Sequence, residues 1–181
     1  MALFTVVVEV GHDDGAIWQA VTPATTAGGT GLWTAQVALD LGVPIPTIGA
    51  ALDARVLSSM KAERVAAEKR IRGVTVAGAA VPAGDRDAVV KAVHDGLLAS
   101  KICSYAQGLA LIRAGSARYG WNIDRAETAR IWKGGCIIRS TLLKTFEEAM
   151  KSEPKPANLL LAPTIVVLFK ARHSKWRKVL A

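Results

Sequence analysis

The side chains best placed to do chemistry in this 181-residue chain are few and scattered. Arg55 stands three residues after Leu52 and seven after Ile48, beside an apolar run in which Ile48, Leu52, Val56 and Met60 recur every four positions. That spacing is one face of a helix. A guanidinium on the flank of a buried stripe needs a partner, because an unpaired buried charge is very costly. The partner is either a structural carboxylate or an anionic ligand, and the spacing leaves both open. His12, His94 and His173 are far apart. His94 lies beside Asp95 but has no second ligand at helical spacing, so it reads as a surface or core histidine rather than a metal-binding or catalytic one. Cys103 and Cys136 lie in apolar helical settings without CxxC spacing, and read as reduced thiols of a cytosolic protein with no disulfide or zinc role.

Searches for common catalytic motifs come back empty. Gly29-Thr30-Gly31 carries two glycines of a dinucleotide turn but continues Leu32-Trp33-Thr34, and it lacks the strand that should precede it. There is no GxxxxGK[ST] phosphate loop, no HExxH and no GxSxG. No metal site is expected.

The composition limits the remaining classes. Half of the residues are apolar (51%) and 21% are charged, too apolar for a disordered chain and suited to packed helices. A chain of this length buries roughly 70% of its unfolded surface on folding. The formal charge of +8 suggests an anionic partner, yet the 23 basic residues are spread out. Only Lys170, Arg172, Lys175, Arg177 and Lys178 form a dense cluster, and no nucleic-acid reader motif accompanies them. Met1 to Val10 lacks the pattern of a signal peptide, and the apolar stretch from Leu159 to Phe169 is too short for a membrane span and is cut by Pro163.

The elements that would position these residues are helical. Phe4 to Val10 reads as an isolated strand and Thr22 to Gly31 as turn-prone. A helix capped by Thr34 is expected to stop at Gly42, followed by the rigid connector Val43-Pro44-Ile45-Pro46. Thr47 opens a helix expected to reach Arg72, with Lys61, Arg64, Lys69 and Arg70 on a solvated face. Gly73 to Gly84 reads as a loop, and Asp85 or Asp87 caps a long helix to about Tyr119. Its apolar stripe is Val90, Val93, Leu97, Tyr105, Leu109 and Ile112, and its small residues Ala99, Ser100, Ser104, Ala106 and Gly108 invite a closely packed neighbour. Gly120 to Asp124 is a turn with an Asp cap, and the next helix ends on Trp132. The pair Gly134-Gly135 is expected to let two buried helices approach closely. A linker from Ser152 to Pro156 leads to two short helical segments, 158–161 and 164–171, split by Pro163, and to a basic helical turn from His173.

Six blocks of the sequence carry a resemblance. They are Gly29-Thr30-Gly31-x-Trp33-Thr34, Ala38 to Pro44, Ala54-Arg55 with Ser58-Ser59, Glu63 to Ala67, Ala99 to Gly108, and Trp132-x-Gly134-Gly135-Cys136-Ile137-Ile138-Arg139-Ser140. In order and interval they resemble the helical domain of the 6-phosphogluconate dehydrogenase family. The resemblance covers residues 28–181 and leaves 1–27 unmatched, an expected stub of a lost nucleotide-binding domain. It implies an all-α, multi-helix fold with an irregular N-terminal segment.

The resemblance also implies an activity: NADP-dependent oxidative decarboxylation of 6-phosphogluconate to ribulose 5-phosphate in the pentose phosphate pathway. A lysine base and a glutamate acid serve it, and their exchange of roles lets one pair complete the reaction. In the family, those two residues and the glycine-rich nucleotide domain precede the matched part, and a tail that completes the partner's site follows it. The expectation is therefore a chain truncated at both ends, inactive alone, with no catalytic and no cofactor-binding residue of its own. Residue by residue, Thr30 matches a substrate-contacting threonine and Arg55 an arginine that pairs with the substrate phosphate. Gly28 stands at the family's phosphate-binding lysine, and Leu32 where a basic residue is usual. Trp132, Gly135 and Cys136 read as packing of the core and dimer interface. The implied protein is a cytoplasmic homodimer that binds neither nucleic acid nor membrane. The alternative is a non-catalytic helical scaffold derived from the same domain.

Overall fold

The computed structural model describes residues 30–71, 86–136, 138–152 and 154–180. The expected strand from Phe4, the loop from Gly73 to Gly84, Asp85 and the doubtful Gly28 lie outside the described residues. Within them the chain is helical, with no strand, as expected. The helices are α1 (Thr30–Asp40), α2 (Pro46–Ser59), α3 (Lys61–Arg70), α4 (Arg86–Tyr119), α5 (Arg125–Ile131), α6 (Leu142–Lys151) and α7 (Pro163–Leu180). A 3-10 turn, Leu159–Leu161, precedes α7.

The long helix α4 is the axis of the body. Its buried line runs Asp95, Ala99, Ile102, Ala106, Leu109, so of the stripe the sequence suggests Leu109 is buried and Tyr105 and Ile112 pack half-buried against the core. Val90, Val93 and Leu97 of that expected stripe are exposed. The small residues Ala99 and Ala106 are buried instead, and α7 is the main neighbour of α4. Phe146 and Leu143 of α6, Leu159 of the 3-10 turn and Ile165 of α7 fill the space around Ile102 and Leu109, all fully buried. Burying one such side chain contributes about 1.5–3 kcal/mol. Tyr105 stacks at a tilt on Phe146, ring centroids 5.1 Å apart, and its hydroxyl donates to the Ile138 carbonyl.

Several boundaries differ from expectation, each for a local reason. Thr34 does not cap α1; it lies inside the helix, its hydroxyl donating to the Thr30 carbonyl at 2.6 Å. Gly42 does stop α1, at φ 63°, and Val43 N–H reaches back to Ala38 O at 2.8 Å, the closure of a left-handed helix end. The helix expected from Thr47 to Arg72 begins one residue earlier, at Pro46, and breaks at Met60 into α2 and α3. Ser58 and Ser59 turn their hydroxyls onto the carbonyls of Arg55 and Val56, each at 2.6 Å, which favours a helix end over continuation. Pro163 opens α7 instead of only splitting two segments, because a first-turn proline loses no helical hydrogen bond, and α7 then runs unbroken to Leu180. Asp124 caps α5 as read, accepting from Ala126 N at 2.7 Å.

The glycine pair also differs. A Cβ at Gly134 or Gly135 would meet nothing within 4 Å, so neither admits a close helix neighbour. Gly135 is needed instead for its φ of 64° in the turn between α5 and α6.

Candidate functional site

Two contacts place the α1–α2 hairpin on α4, and a third joins its two helices. At its closed end, Leu41 comes within 3.8 Å of where a Cβ on Gly115 would sit. At the start of α2, Thr47 N–H donates to Gln107 Oε1 at 3.0 Å, and Gln107 Nε2 donates back to Thr47 Oγ1 at 2.8 Å. At the open end, a Cβ on Gly31 would lie 3.3 Å from Leu52 Cδ1, so α1 and α2 touch there. The start of α1 therefore lies beside Leu52 of α2, and Arg55 follows one turn later on α2.

Arg55 is exposed, and no residue of α2 is buried. The expected buried stripe is thus only partly realised: Ile48 and Leu52 are half-buried, while Val56 and Met60 are exposed. The cost argument for a structural partner falls with it. Arg55 makes no ion pair with a carboxylate among the described residues. Thr30 is exposed as well, and its carbonyl is the group engaged by Thr34. Leu32, where the resemblance implies a lost basic residue, is half-buried. Gln107, sixty positions from Thr47, holds the hairpin in place; nothing in the spacing signals it.

Two charged clusters sit away from the hairpin. The Glu147 carboxylate is buried between Lys133 and Lys151, the latter at 2.6 Å, and their hydrogen bonds hold its pKa down to about 2. Asp95 is buried where α7 crosses α4. Lys175 Nζ lies 3.4 Å from it, His94 Nδ1 3.4 Å and Arg172 Nε 3.8 Å. Burial pushes the Asp95 carboxyl up, but the hydrogen bonds from Lys175 and His94 outweigh it and keep the group below the usual carboxylate range. Both clusters tie helices together. Cys103 and Cys136 are free and half-buried, and burial pushes the Cys103 thiol up, away from the reactive thiolate. Among the described residues no group of three His, Cys, Asp or Glu side chains could hold a metal ion.

Comparisons with known proteins bear on the hairpin. The family model for the 6-phosphogluconate dehydrogenase C-terminal domain matches residues 4–181, so the match extends upstream of residue 28. A decarboxylating 6-phosphogluconate dehydrogenase of Synechococcus elongatus is 44% identical over 179 residues, 99% of this chain and 37% of that protein. Its counterpart from Synechocystis sp. is 49% identical over 152 residues, 84% of this chain and 31% of that protein. A solved Plasmodium falciparum 6-phosphogluconate dehydrogenase, described in apo form and in complex with its cofactor NADP+ and its substrate 6-phosphogluconate, is 32% identical. It superposes with a TM-score of 0.78 over 90% of this chain and 34% of that one. The chain thus spans about a third of the length of these relatives.

Proposed function

Because the chain belongs to the 6-phosphogluconate dehydrogenase family, as its helical C-terminal domain, we propose that it supplies the substrate-binding and dimerisation part of an NADP-dependent 6-phosphogluconate dehydrogenase. The reaction proposed for the complete enzyme is oxidative decarboxylation of 6-phosphogluconate to ribulose 5-phosphate. NADP would accept the hydride; no glycine-rich turn between a strand and a helix exists among the described residues, so none of them is assigned to that cofactor.

One observation carries the reading. Arg55 presents an exposed guanidinium, without a carboxylate partner among the described residues, one turn beyond Leu52, which touches the start of α1. A guanidinium fork suits phosphate oxygens in geometry and charge. The Thr30 hydroxyl is a donor and acceptor suited to a sugar hydroxyl or phosphate oxygen. Thr30 and Arg55 are assigned to substrate, and the Gly28 position, where the family has a lysine, contributes only backbone. Dimerisation is supported by the apolar side chains the hairpin leaves in solvent, Leu39 at 82% exposure and Trp33 at 64%. The cytoplasm is the proposed compartment, with both cysteines free. No described helix is long and apolar enough to cross a membrane.

Calorimetric titration with 6-phosphogluconate tests the assignment. Binding by this chain that weakens about tenfold or more in Arg55→Ala, the loss of a charge-assisted contact, supports it. No binding by the unaltered chain favours the second reading, a non-catalytic scaffold, which the glycine and leucine at positions 28 and 32 favour over an intact phosphate loop.

A further inference from the structure

The turn that joins α4 to α5 forms a concavity of its own, far along the chain from the hairpin's open end. It is an open groove of about 380 Å³, lined by Arg113, Ser116, Asn122, Ile123 and Arg125 together with Ala117 and Gly120. Two of these side chains are guanidiniums and none is acidic. Arg125 donates from Nη2 to Pro156 O at 2.8 Å and from Nη1 to Ala157 O at 3.3 Å. Both acceptors are neutral carbonyls, which fix the guanidinium without neutralising it. Arg113 makes no ion pair among the described residues. The adjacent carboxylate, Asp124, is occupied as a cap, accepting from Ala126 N and Glu127 N at 2.7 and 3.3 Å.

The groove is also preformed. Gly120 and Asn122 hold left-handed backbone angles, φ 70° and 50°, and asparagine tolerates that region better than most side chains. Trp121 N–H donates to Ser116 O at 3.1 Å and Ile123 N–H to Ser116 Oγ at 2.8 Å, pinning the turn to the end of α4. Burial already disfavours the charged form of Arg125, and the charge of Arg113 adds to that penalty, with Asp124 opposing. Two like charges held on one preformed surface are relieved by an anion between them.

We propose that this groove binds a phosphate-bearing small molecule, its phosphate bridged by Arg113 and Arg125, at a site separate from the one at Arg55. A groove of this size admits more than a bare ion, with the phosphate as the handle and the uncharged turn as the surface for the remainder. Arginine forks can each engage two phosphate oxygens.

The test titrates inorganic phosphate and pyrophosphate into the full chain at constant ionic strength while nuclear magnetic resonance follows the arginine Nε–H signals. Saturable movement of the Arg113 and Arg125 signals is expected. Arg113→Ala, at an exposed position on a folded helix, should weaken binding about tenfold, the loss of one charge-assisted contact. Arg55→Ala should leave this binding unchanged, which separates the site from the substrate assignment. Movement that never saturates, binding undiminished in Arg113→Ala, or binding abolished by Arg55→Ala would each overturn the proposal.

Discussion

The α4–α7 body and the arm formed by α1 and α2 are built from the same kinds of residue, yet only the body closes over them. In the body, Ile102, Leu109, Leu143, Phe146, Leu159 and Ile165 are wholly buried. In the arm, Ala38 is the one buried residue among α1 and α2, and the leucines, valines and tryptophan of those helices are half-buried or exposed. The difference lies in what each helix meets. α4 packs on α7 and the 3-10 turn, with its Tyr105 against Phe146 of α6, whereas α1 and α2 meet mainly each other and one stretch of α4. Apolar composition alone therefore does not make a core. The side chains need a surface to be buried against, and the arm has apolar surface without a cover.

The strongest way to break this contrast is Phe146→Ala. Emptying a fully enclosed aromatic site should cost about 3–5 kcal/mol, read from urea unfolding; a midpoint that does not move would mean the body is not the stabilising part. A smaller effect is expected from the body's buried charge. The folded-state pKa of Glu147 is about 2, below its ordinary 4.5, so its contribution is fully present above pH 4.5 and is lost as pH falls through that window toward 2. In Glu147→Gln this part of the acid dependence should flatten, measured as unfolding midpoints across a pH series. An unchanged acid limb would show that Lys133 and Lys151 do not hold the carboxylate in solution. The smallest effect is expected in the arm. Leu39→Ser, at a position 82% exposed, should change stability by no more than about 0.5 kcal/mol. It should nevertheless reduce self-association in sedimentation velocity; a large loss of stability instead would show that α1 packs within the monomer.

The sequence made some of this legible and hid the rest for physical reasons. Helix ends written in backbone-special residues could be read directly: Gly42 at positive φ, Asp124 accepting from two amides, and the extent of α4. Breaks that depend on hydroxyl rotamers could not, which is why the end of α2 at Ser58-Ser59 was hidden inside a periodic pattern. Periodicity gave the helical character of α4 and, in Tyr105, Leu109 and Ile112, part of its packed face, and the small residues Ala99 and Ala106 marked another part, but the exposure of Val90, Val93 and Leu97 depends on which elements lie beside the helix. Arg55 shows the same limit at the site. Its identity pointed to an anion, but its exposure depends on what packs beside α2, which spacing does not encode. Gln107 escaped notice because its partner is sixty positions away.

One consequence follows from the length of α4. Thirty-four residues make a rod of roughly 50 Å. Its first turns project with Val89, Val90 and Val93 in solvent, while its far end carries the Gly120 turn. The core therefore grips α4 at its middle, through Ile102, Ala106 and Leu109, and leaves the valine end outside it.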